Sequence, residues 1–343
     1  MLKAGLQRYR MTLSNRGTAV RDQLLKLLAD GCFHSGQELG NQLGVSRTAV
    51  WKHMRELELR GVVFQAIRGT GYKLSDEFEL LSNSLIEAHL TPFSRDIIRD
   101  IEIFSSIDST NVYARTCAEK DLCGGRLILA EQQTAGRGRR GRQWHSPFGG
   151  SIAMSVVWDF HCGASALEGL SLAVGIAVRR ALVEQGIADV QLKWPNDVYV
   201  RGKKMAGILL EMMGDPSGLC TVVIGLGINY KLGHAVADAI DQPWTDVFSE
   251  SDEKISRNVL CATVVNHLLF ILHQFECDGF APYQAEWSLA DAFRGKKCTL
   301  TTARHSTTGY VDGVDARGAL ILSMPDGQKQ FFMGGELSLR LSQ

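Results

Sequence analysis

The chain has 343 residues, 45% hydrophobic and 22% charged, with 37 basic and 37 acidic side chains that cancel. Such a length allows two or three domains around a sizeable core, and the composition is that of a globular protein rather than a disordered or collagen-like one. Eight scattered cysteines with no C-x-x-C pair argue against a zinc or disulfide framework. No apolar run reaches the roughly 18 residues of a membrane span, and the basic N-terminus lacks the apolar stretch of a secretory signal, so a reducing cytoplasm is the expected setting.

The zero net charge hides an asymmetry. Residues 1–75 hold twelve Lys and Arg against five Asp and Glu, about +7 locally, and the remainder is acidic by the same amount. Residues 1–17 show no period and read as an N-terminal extension. An amphipathic helix is expected over 18–29, with Val20, Leu24, Leu27 and Leu28 on one stripe. A short helix over 36–43, a turn at Gly44-Val45-Ser46 and a third helix over 47–60, capped by Ser46, complete a helix-turn-helix pattern. On the third helix Val50, Met54 and Leu57 fall on the buried face, while Arg47, Thr48, Trp51, Lys52 and Arg55 fall together on the other. Two short strands around Arg68-Gly69-Thr70-Gly71-Tyr72-Lys73 make a wing, with Arg68 and Lys73 suited to phosphate or minor-groove contact. The pattern predicts a DNA-binding winged helix over 18–82; the alternative is a winged helix kept for protein contact. Ser75 to Glu79 reads as a linker.

A second region, 85–291, reads as alternating strands and helices. A strand over 101–107 runs into Asp108-Ser109-Thr110-Asn111 and a helix over 112–120; three polar residues exceed what a cap needs, so they are candidates for binding a polar ligand. After a strand over 126–131 comes Gln133, then Gly136-Arg137-Gly138-Arg139-Arg140-Gly141-Arg142 and Trp144-His145-Ser146-Pro147. Arginine offers a planar charged fork for phosphate or carboxylate, and glycine lets the backbone approach closely, so this loop suits an anionic ligand. The other reading is a solvated basic loop. The letters satisfy G-x-G-x-x-G, but a strand over 151–158 follows where a dinucleotide fold needs a helix, and no P-loop occurs. A buried helix over 166–184 precedes Lys193-Trp194-Pro195-Asn196-Asp197, where proline marks a strand edge or bend. Strands over 205–212 and 221–230 follow, the latter with Gly225 and Gly227 where a ligand can approach the backbone, and a buried helix covers 256–277. Five short strands over 297–302, 309–314, 319–323, 328–333 and 336–341, with turn signals between them, form a small all-β module over 292–343.

Taken together, Gln133-Thr134-Ala135-Gly136-Arg137-Gly138-Arg139, Trp144-x-Ser146-Pro147, Lys193-Trp194-Pro195-Asn196-Asp197, Lys204-x-Ala206-Gly207 and Gly225-x-Gly227-Ile228-Asn229 resemble the biotin–protein ligases. With the winged helix in front, the chain from about residue 18 onward resembles the bifunctional bacterial ligases that also repress biotin synthesis genes. The resemblance implies an α+β chain: a winged helix-turn-helix, a mixed-sheet catalytic domain of class II synthetase type and an SH3-like C-terminal β-barrel. It implies biotin, ATP and Mg2+ as ligands, a biotin carboxyl carrier domain and operator DNA as partners, and a homodimer formed on ligand binding.

Residue by residue, the resemblance places Ser109, Thr110, Asn111, Gln133, Arg137, Gly138, Arg139, Lys204 and Gly225 around biotin, with Gln133 at the ureido ring. It places Arg139, Arg142, Asn196, Lys204, Asn229 and Trp244 around the nucleotide, Trp244 in a loop that orders around adenine. Lys204, Arg137 and Asp197 would act in the chemistry, Asp197 orienting the acceptor lysine or taking its proton. The sequence departs from the family pattern at Ser151, where asparagine is common, while His145 fills a variable position. Metal ligands are not assigned. Three other readings stay open: a ligase whose winged helix does not regulate, an acyl ligase of the lipoate type, and a ligand sensor without catalysis.

Overall fold

The computed structural model describes residues 16–75, 78–120, 124–214, 218–233, 239–302, 305–334 and 337–342. In chain order the elements are α1 (Arg16–Leu28), α2 (Gly36–Leu43), α3 (Arg47–Glu58), β1 (Phe64–Ile67), β2 (Gly71–Leu74), α4 (Asn83–His89), α5 (Pro92–Ile97), β3 (Asp100–Phe104), α6 (Thr110–Ala118), β4 (Arg126–Ala130) and β5 (Ser151–Phe160). Then come α7 (Leu170–Glu184), β6 (Val190–Lys193), β7 (Asp197–Val200), β8 (Lys203–Gly214), β9 (Cys220–Asn229), α8 (Val247–Glu250), α9 (Arg257–Asp278), α10 (Gln284–Ala290), β10 (Lys297–Thr301), β11 (Ser306–Val314), β12 (Leu320–Ser323), β13 (Lys329–Phe332) and β14 (Ser338–Leu341).

α1–α3 and the β1–β2 hairpin form the winged helix. Ser46 caps α3 by accepting the Ala49 N–H at 3.2 Å, and Gly44 closes α2 in the left-handed region at φ 65°. Val50, Met54 and Leu57 are buried, and Arg47, Thr48, Trp51, Lys52 and Arg55 are exposed, as the period requires. Helix α1 starts at Arg16, two residues earlier than the sequence suggests; the rest of the expected extension, 1–15, lies outside the described residues.

The connection to the next region is less a linker than a strap, although its Asp76 and Glu77 lie outside the described residues. Phe78 stacks on Phe148 with ring centroids 6.1 Å apart, and Phe148 itself completes the core of the winged helix. Glu79 accepts from Ser256 Oγ at 2.7 Å, Asn258 Nδ2 at 2.6 Å and the Arg257 N–H at 2.7 Å. Arg257 and Glu131, both fully buried, pair at 2.7 Å, and Glu131 also accepts the Leu81 N–H at 2.6 Å. A buried charge is tolerable only when paired and hydrogen-bonded, and this one is.

The central sheet has seven strands in the order β3-β4-β5-β9-β8-β7-β6, with β3 and β4 parallel and the rest antiparallel. Alternation along β9 divides its faces: Val222, Ile224, Leu226 and Ile228 join the large core beneath α7 and α9, while Val223 lies under α6 with Gly225 and Gly227 on the same side. Helix α9 is long and apolar enough to cross a membrane, contrary to the reading that no such run exists. Most of that apolar stretch is buried against the sheet, which makes it a core helix. The expected helix over 166–184 is a 3-10 turn, Ala164–Leu167, followed by α7, because Gly169 at φ 78° interrupts it.

β10–β14 form a five-stranded antiparallel sheet in the order β13-β12-β11-β10-β14. All five strands lie within the segments read from turn signals, apart from the early start of β11 at Ser306; Glu336 lies outside the described residues. Among the described residues the two edge strands do not pair with each other, so the hydrogen-bonded ladder stays open. Its apolar face, with Leu300, Val311, Leu320 and Leu322, is continuous with the core of the central sheet.

Candidate active site

The cavity lies on the glycine face of the central sheet and has a volume of about 130 Å³. One part of its wall is polar and buried. Ser109, Thr110 and Asn111 are 2%, 3% and 4% exposed, so their side chains are not a solvated cap. Ser109 makes no capping hydrogen bond at the start of α6, which leaves more to the ligand reading than capping alone would. Gln133 Oε1 accepts from the Thr110 N–H at 2.8 Å and from its hydroxyl at 3.2 Å. Ser155 donates to Asn111 Oδ1 at 2.6 Å, and Asn111 Nδ2 donates to Glu211 at 2.9 Å. A methyl on Gly225 would come within 2.1 Å of Asn111 Oδ1, so glycine is what lets α6 approach β9.

The next row of the sheet carries the charge. Register places Asp197 opposite Gly207, and Gly207 opposite Gly227. A bulge interrupts the β7–β8 ladder between Val198 and Tyr199, which pair with Ala206 and Lys204 respectively and leave Met205 extra. Without it Lys204 would share the face of Ala206; the extra residue turns Lys204 toward Asp197. Lys204 Nζ lies 2.6 Å from Asp197 Oδ1, the two side chains being 14% and 15% exposed. The Trp144 ring stands 5.5 Å from the same ammonium and lies over Gly227, where a methyl would meet it at 2.4 Å.

The arginine loop closes the remaining side. Arg139 donates to Asn196 Oδ1 at 2.9 Å, and Asn196 is itself fixed by its amide donating to the Ile208 carbonyl at 2.8 Å. Burial draws the Arg139 guanidinium down from its usual range, with Asp197 opposing. Arg137 reaches Glu211 at 3.4 Å but is half exposed. Arg140 holds a left-handed backbone at φ 58°, uncommon for a residue with a side chain. Trp194–Pro195 is a cis peptide, at the bend between β6 and β7.

Of the residues singled out from sequence, Ser109, Thr110, Asn111, Gln133, Arg137, Gly138, Arg139, Arg142, Asn196, Asp197, Lys204 and Gly225 all line this one cavity. Asn229 and Trp244 do not. Asn229 is buried, donating to the Thr245 carbonyl at 3.0 Å and the Lys204 carbonyl at 3.4 Å, so it ties the 242–246 segment to the start of β8. Trp244 pairs beside Lys204 but faces an adjoining cleft of about 1060 Å³, which shares Trp144 and Gln133 with the cavity and has the end of α3 along its other wall. His145 lies in that cleft, away from the Asp197–Lys204 pair. Sequence reasoning missed three single residues and one segment. Glu211 is a lone acid in an apolar strand and Ser155 a lone hydroxyl in another, both faint signals. Lys193 was visible only as part of a motif. Leu337 to Leu339, from the C-terminal sheet, carried no signal.

On the winged helix, Arg68 is exposed at the tip of the wing, whereas Lys73 is half-buried, its ammonium 6.0 Å from the Phe33 ring.

The charge of the cavity is one-sided: Arg137, Arg139, Arg140, Arg142, Lys193 and Lys204 line it against the carboxylate of Asp197, with Glu211 behind Arg137 and Asn111. It is built for an anion, with a neutral polar recess beside it. Comparison with known proteins places this geometry. Residues 103–229 match the biotin/lipoate A/B protein ligase family and residues 20–73 an HTH domain. The chain is 38% identical to the bifunctional ligase/repressor BirA of Salmonella typhimurium, over 96% of this chain and all of that protein. It is 31% identical to the bifunctional ligase/repressor BirA of Bacillus subtilis, over 92% of this chain and 97% of that one. Its fold matches the biotin protein ligase of Aquifex aeolicus, solved in complex with biotin and ATP, with a TM-score of 0.61 and 25% identity over 71% of this chain and all of that one. A winged helix in front of a cationic ligase cavity, matched along nearly the whole length of such relatives, means that the chain belongs to the bifunctional ligase/repressor BirA family.

Proposed function

We propose that this protein activates biotin with ATP, transfers it to a lysine of a biotin carboxyl carrier domain, and uses the activated intermediate to control operator binding. The observation that carries the enzymatic half is the cavity itself: six cations facing Asp197, with Glu211 behind, beside a buried polar recess. Biotin's ureido ring is a neutral hydrogen-bonding group and fits the recess of Thr110, Asn111 and Gln133; its carboxylate then extends toward Lys204.

In the first step a biotin carboxylate oxygen forms a bond to the α-phosphorus of ATP, the bond to the β-phosphate oxygen breaks, and pyrophosphate leaves. Lys204, Arg137, Arg139 and Arg142 stabilise the charge that gathers on the phosphate oxygens, mainly by position and electrostatics. Magnesium enters with the nucleotide as part of the substrate; among the described residues no group of three or more His, Cys, Asp or Glu side chains comes together to hold a metal of its own. Asn196 positions Arg139, and Asn229 holds the segment that carries Trp244 against β8, from where Trp244 can meet adenine across the shared Trp144 wall.

In the second step the acceptor amine attacks the acyl carbon of biotinyl-5′-AMP, the anhydride C–O bond breaks, AMP leaves with the bonding pair, and Asp197 takes the amine proton. Closure of the arginine loop keeps water from the anhydride. A sequestered intermediate is also a signal. Ligand-ordered loops favour a homodimer, which presents two winged helices to two half-sites, with Arg47, Thr48, Trp51, Lys52, Arg55, Arg68 and Lys73 toward DNA. We place the protein in the cytoplasm, and we divide it into modules at 18–82, 85–291 and 292–343.

The deciding experiment is incorporation of radiolabelled biotin into a carrier domain with MgATP, wild type against Lys204→Ala. Transfer by the wild type and its loss in the variant is expected. Tight biotin binding without transfer by the wild type would make the protein a sensor and overturn the catalytic reading.

A further inference from the structure

Asp197 sits between two ammonium groups that differ in what else holds them. Lys204 meets Oδ1 at 2.6 Å from the bulged start of β8, while Lys193 lies 3.9 Å from Oδ2. Lys193 also donates to the Tyr199 hydroxyl at 3.1 Å and stands 5.1 Å and 5.2 Å from the ring centroids of Tyr199 and Phe293. Two aromatic faces at that range hold an ammonium in place. Phe293 comes from the segment that leads into β10, and the Ala292 N–H pins that segment to the Leu192 carbonyl at 2.8 Å. The cage is therefore closed by chain remote in sequence.

An ammonium that swings toward a ligand cannot also stay 2.6 Å from Asp197. When Lys204 turns to the phosphate and acyl oxygens, Asp197 loses its closest partner. A cation beside a carboxylate favours its charged form, and only the charged form can accept a proton from the acceptor amine. We infer that Lys193 is a positioning residue of the transfer step, a caged cation that keeps Asp197 ionised and aimed once Lys204 has turned to the ligand. The inference rests on Asp197 being the proton acceptor. Burial draws the Lys193 ammonium below the usual lysine range, with Lys204, Arg142 and Arg340 adding to this and Asp197 opposing it. Of the other groups near the pair, Asp291, which leads into Phe293, is pushed up to about 6, chiefly by burial, and the rest stay in one state through neutral pH. Arg139, Arg142 and Arg340 are arginines, Cys298 is pushed up to about 11 by burial, and Tyr199 is pushed higher still.

The test separates the two half-reactions. Biotin-dependent exchange of pyrophosphate into ATP reports the first, and single-turnover transfer from preformed biotinyl-5′-AMP to a carrier domain reports the second, each from about pH 5.5 to about 9. Lys193→Met is expected to slow transfer by about 10- to 100-fold and move its acid limb up by about one pH unit, while exchange, which loses one of six cavity cations but does not use Asp197 as a base, falls by several-fold less than transfer. Lys193→Arg should recover most of the loss. Phe293→Leu, which opens the cage and keeps the charge, should shift the limb in the same direction by less, and it decides the matter if Lys193→Met does not fold. Equal loss in both half-reactions, an unmoved acid limb in Lys193→Met, or wild-type transfer by Phe293→Leu when the first variant cannot be made, overturns the inference. Asp197→Ala run alongside tests the underlying reading separately: transfer at the wild-type rate would remove the proton acceptor, whatever the Lys193 variants do.

Discussion

The cavity has two walls built on different principles. On the sheet side, Asp197 and Lys204 are about one-seventh exposed, sit on paired strands and are locked to each other at 2.6 Å. On the loop side, Arg137, Arg140 and Arg142 are exposed, and Arg137 holds Glu211 only at 3.4 Å. The sheet wall is organised before any ligand arrives, because each side chain there is fixed by a ladder, a bulge or a buried partner. The loop wall leaves its charge in water until an anion gives it a reason to close. Groups placed in advance stabilise a transition state without reorganising, whereas exposed cations add binding and exclusion of water.

That contrast can be broken or sharpened by substitution. The largest effect should come at the root of the loop rather than in it. Glu131 follows directly on β4 and is fully buried against Arg257, so Glu131→Ala leaves an unpaired buried charge and should cost about 3–5 kcal/mol in urea unfolding. A loss near zero would mean that the loop is not anchored there. Next is Asp291, which bridges Leu192 beside the sheet wall and is pushed up to about 6, chiefly by burial. Its folded form holds a proton more tightly than the unfolded chain, where the usual value of 3.8 applies. The contribution of this group is therefore greatest below about pH 4 and is lost, roughly 2–3 kcal/mol, as pH rises through 6. Asp291→Asn should flatten that part of the pH–stability curve; an unchanged slope would remove the residue from the account.

Gly225→Ala tests the sheet wall without touching charge. The added methyl displaces Asn111, and biotin affinity by calorimetry should fall about 30-fold, roughly 2 kcal/mol, with the melting temperature little changed. Unchanged affinity would move the ureido ring away from Asn111. The smallest effect belongs to the loop. Arg137→Ala should lower adenylate formation about tenfold, about 1.4 kcal/mol, and leave unfolding unaltered. A loss of stability as large as that of Glu131→Ala would erase the difference between the walls.

Much of this was legible from the chain alone. The winged helix showed itself through local signals, a 3.6-residue period, Ser46 as a cap and Gly44 as a stop, all of which act within a few residues. The paired glycines of β9 and the arginine loop announced a ligand because neither suits a packed core. The strap at Glu79 read as a linker since its acid looks solvated in sequence; its partners, Ser256 to Asn258, lie about 180 residues on. Trp244 and Asn229 were drawn toward the nucleotide by motif; the folded chain seats one in a neighbouring cleft and ties the amide nitrogen of the other to two carbonyls.

The residue types of the site, the cationic character of its loop and the order of its elements were thus written into the sequence, because propensity, period and charge are local properties. The facing of Lys204 was not. Strand alternation would send it to the face of Ala206, and only the bulge opposite Val198 and Tyr199 turns it to Asp197. Nor could the sequence tell that Phe293 closes a cage on Lys193 or that Leu337 to Leu339 complete the cavity wall. Those contacts depend on register and on packing between segments far apart in the chain, which only the assembled sheets decide.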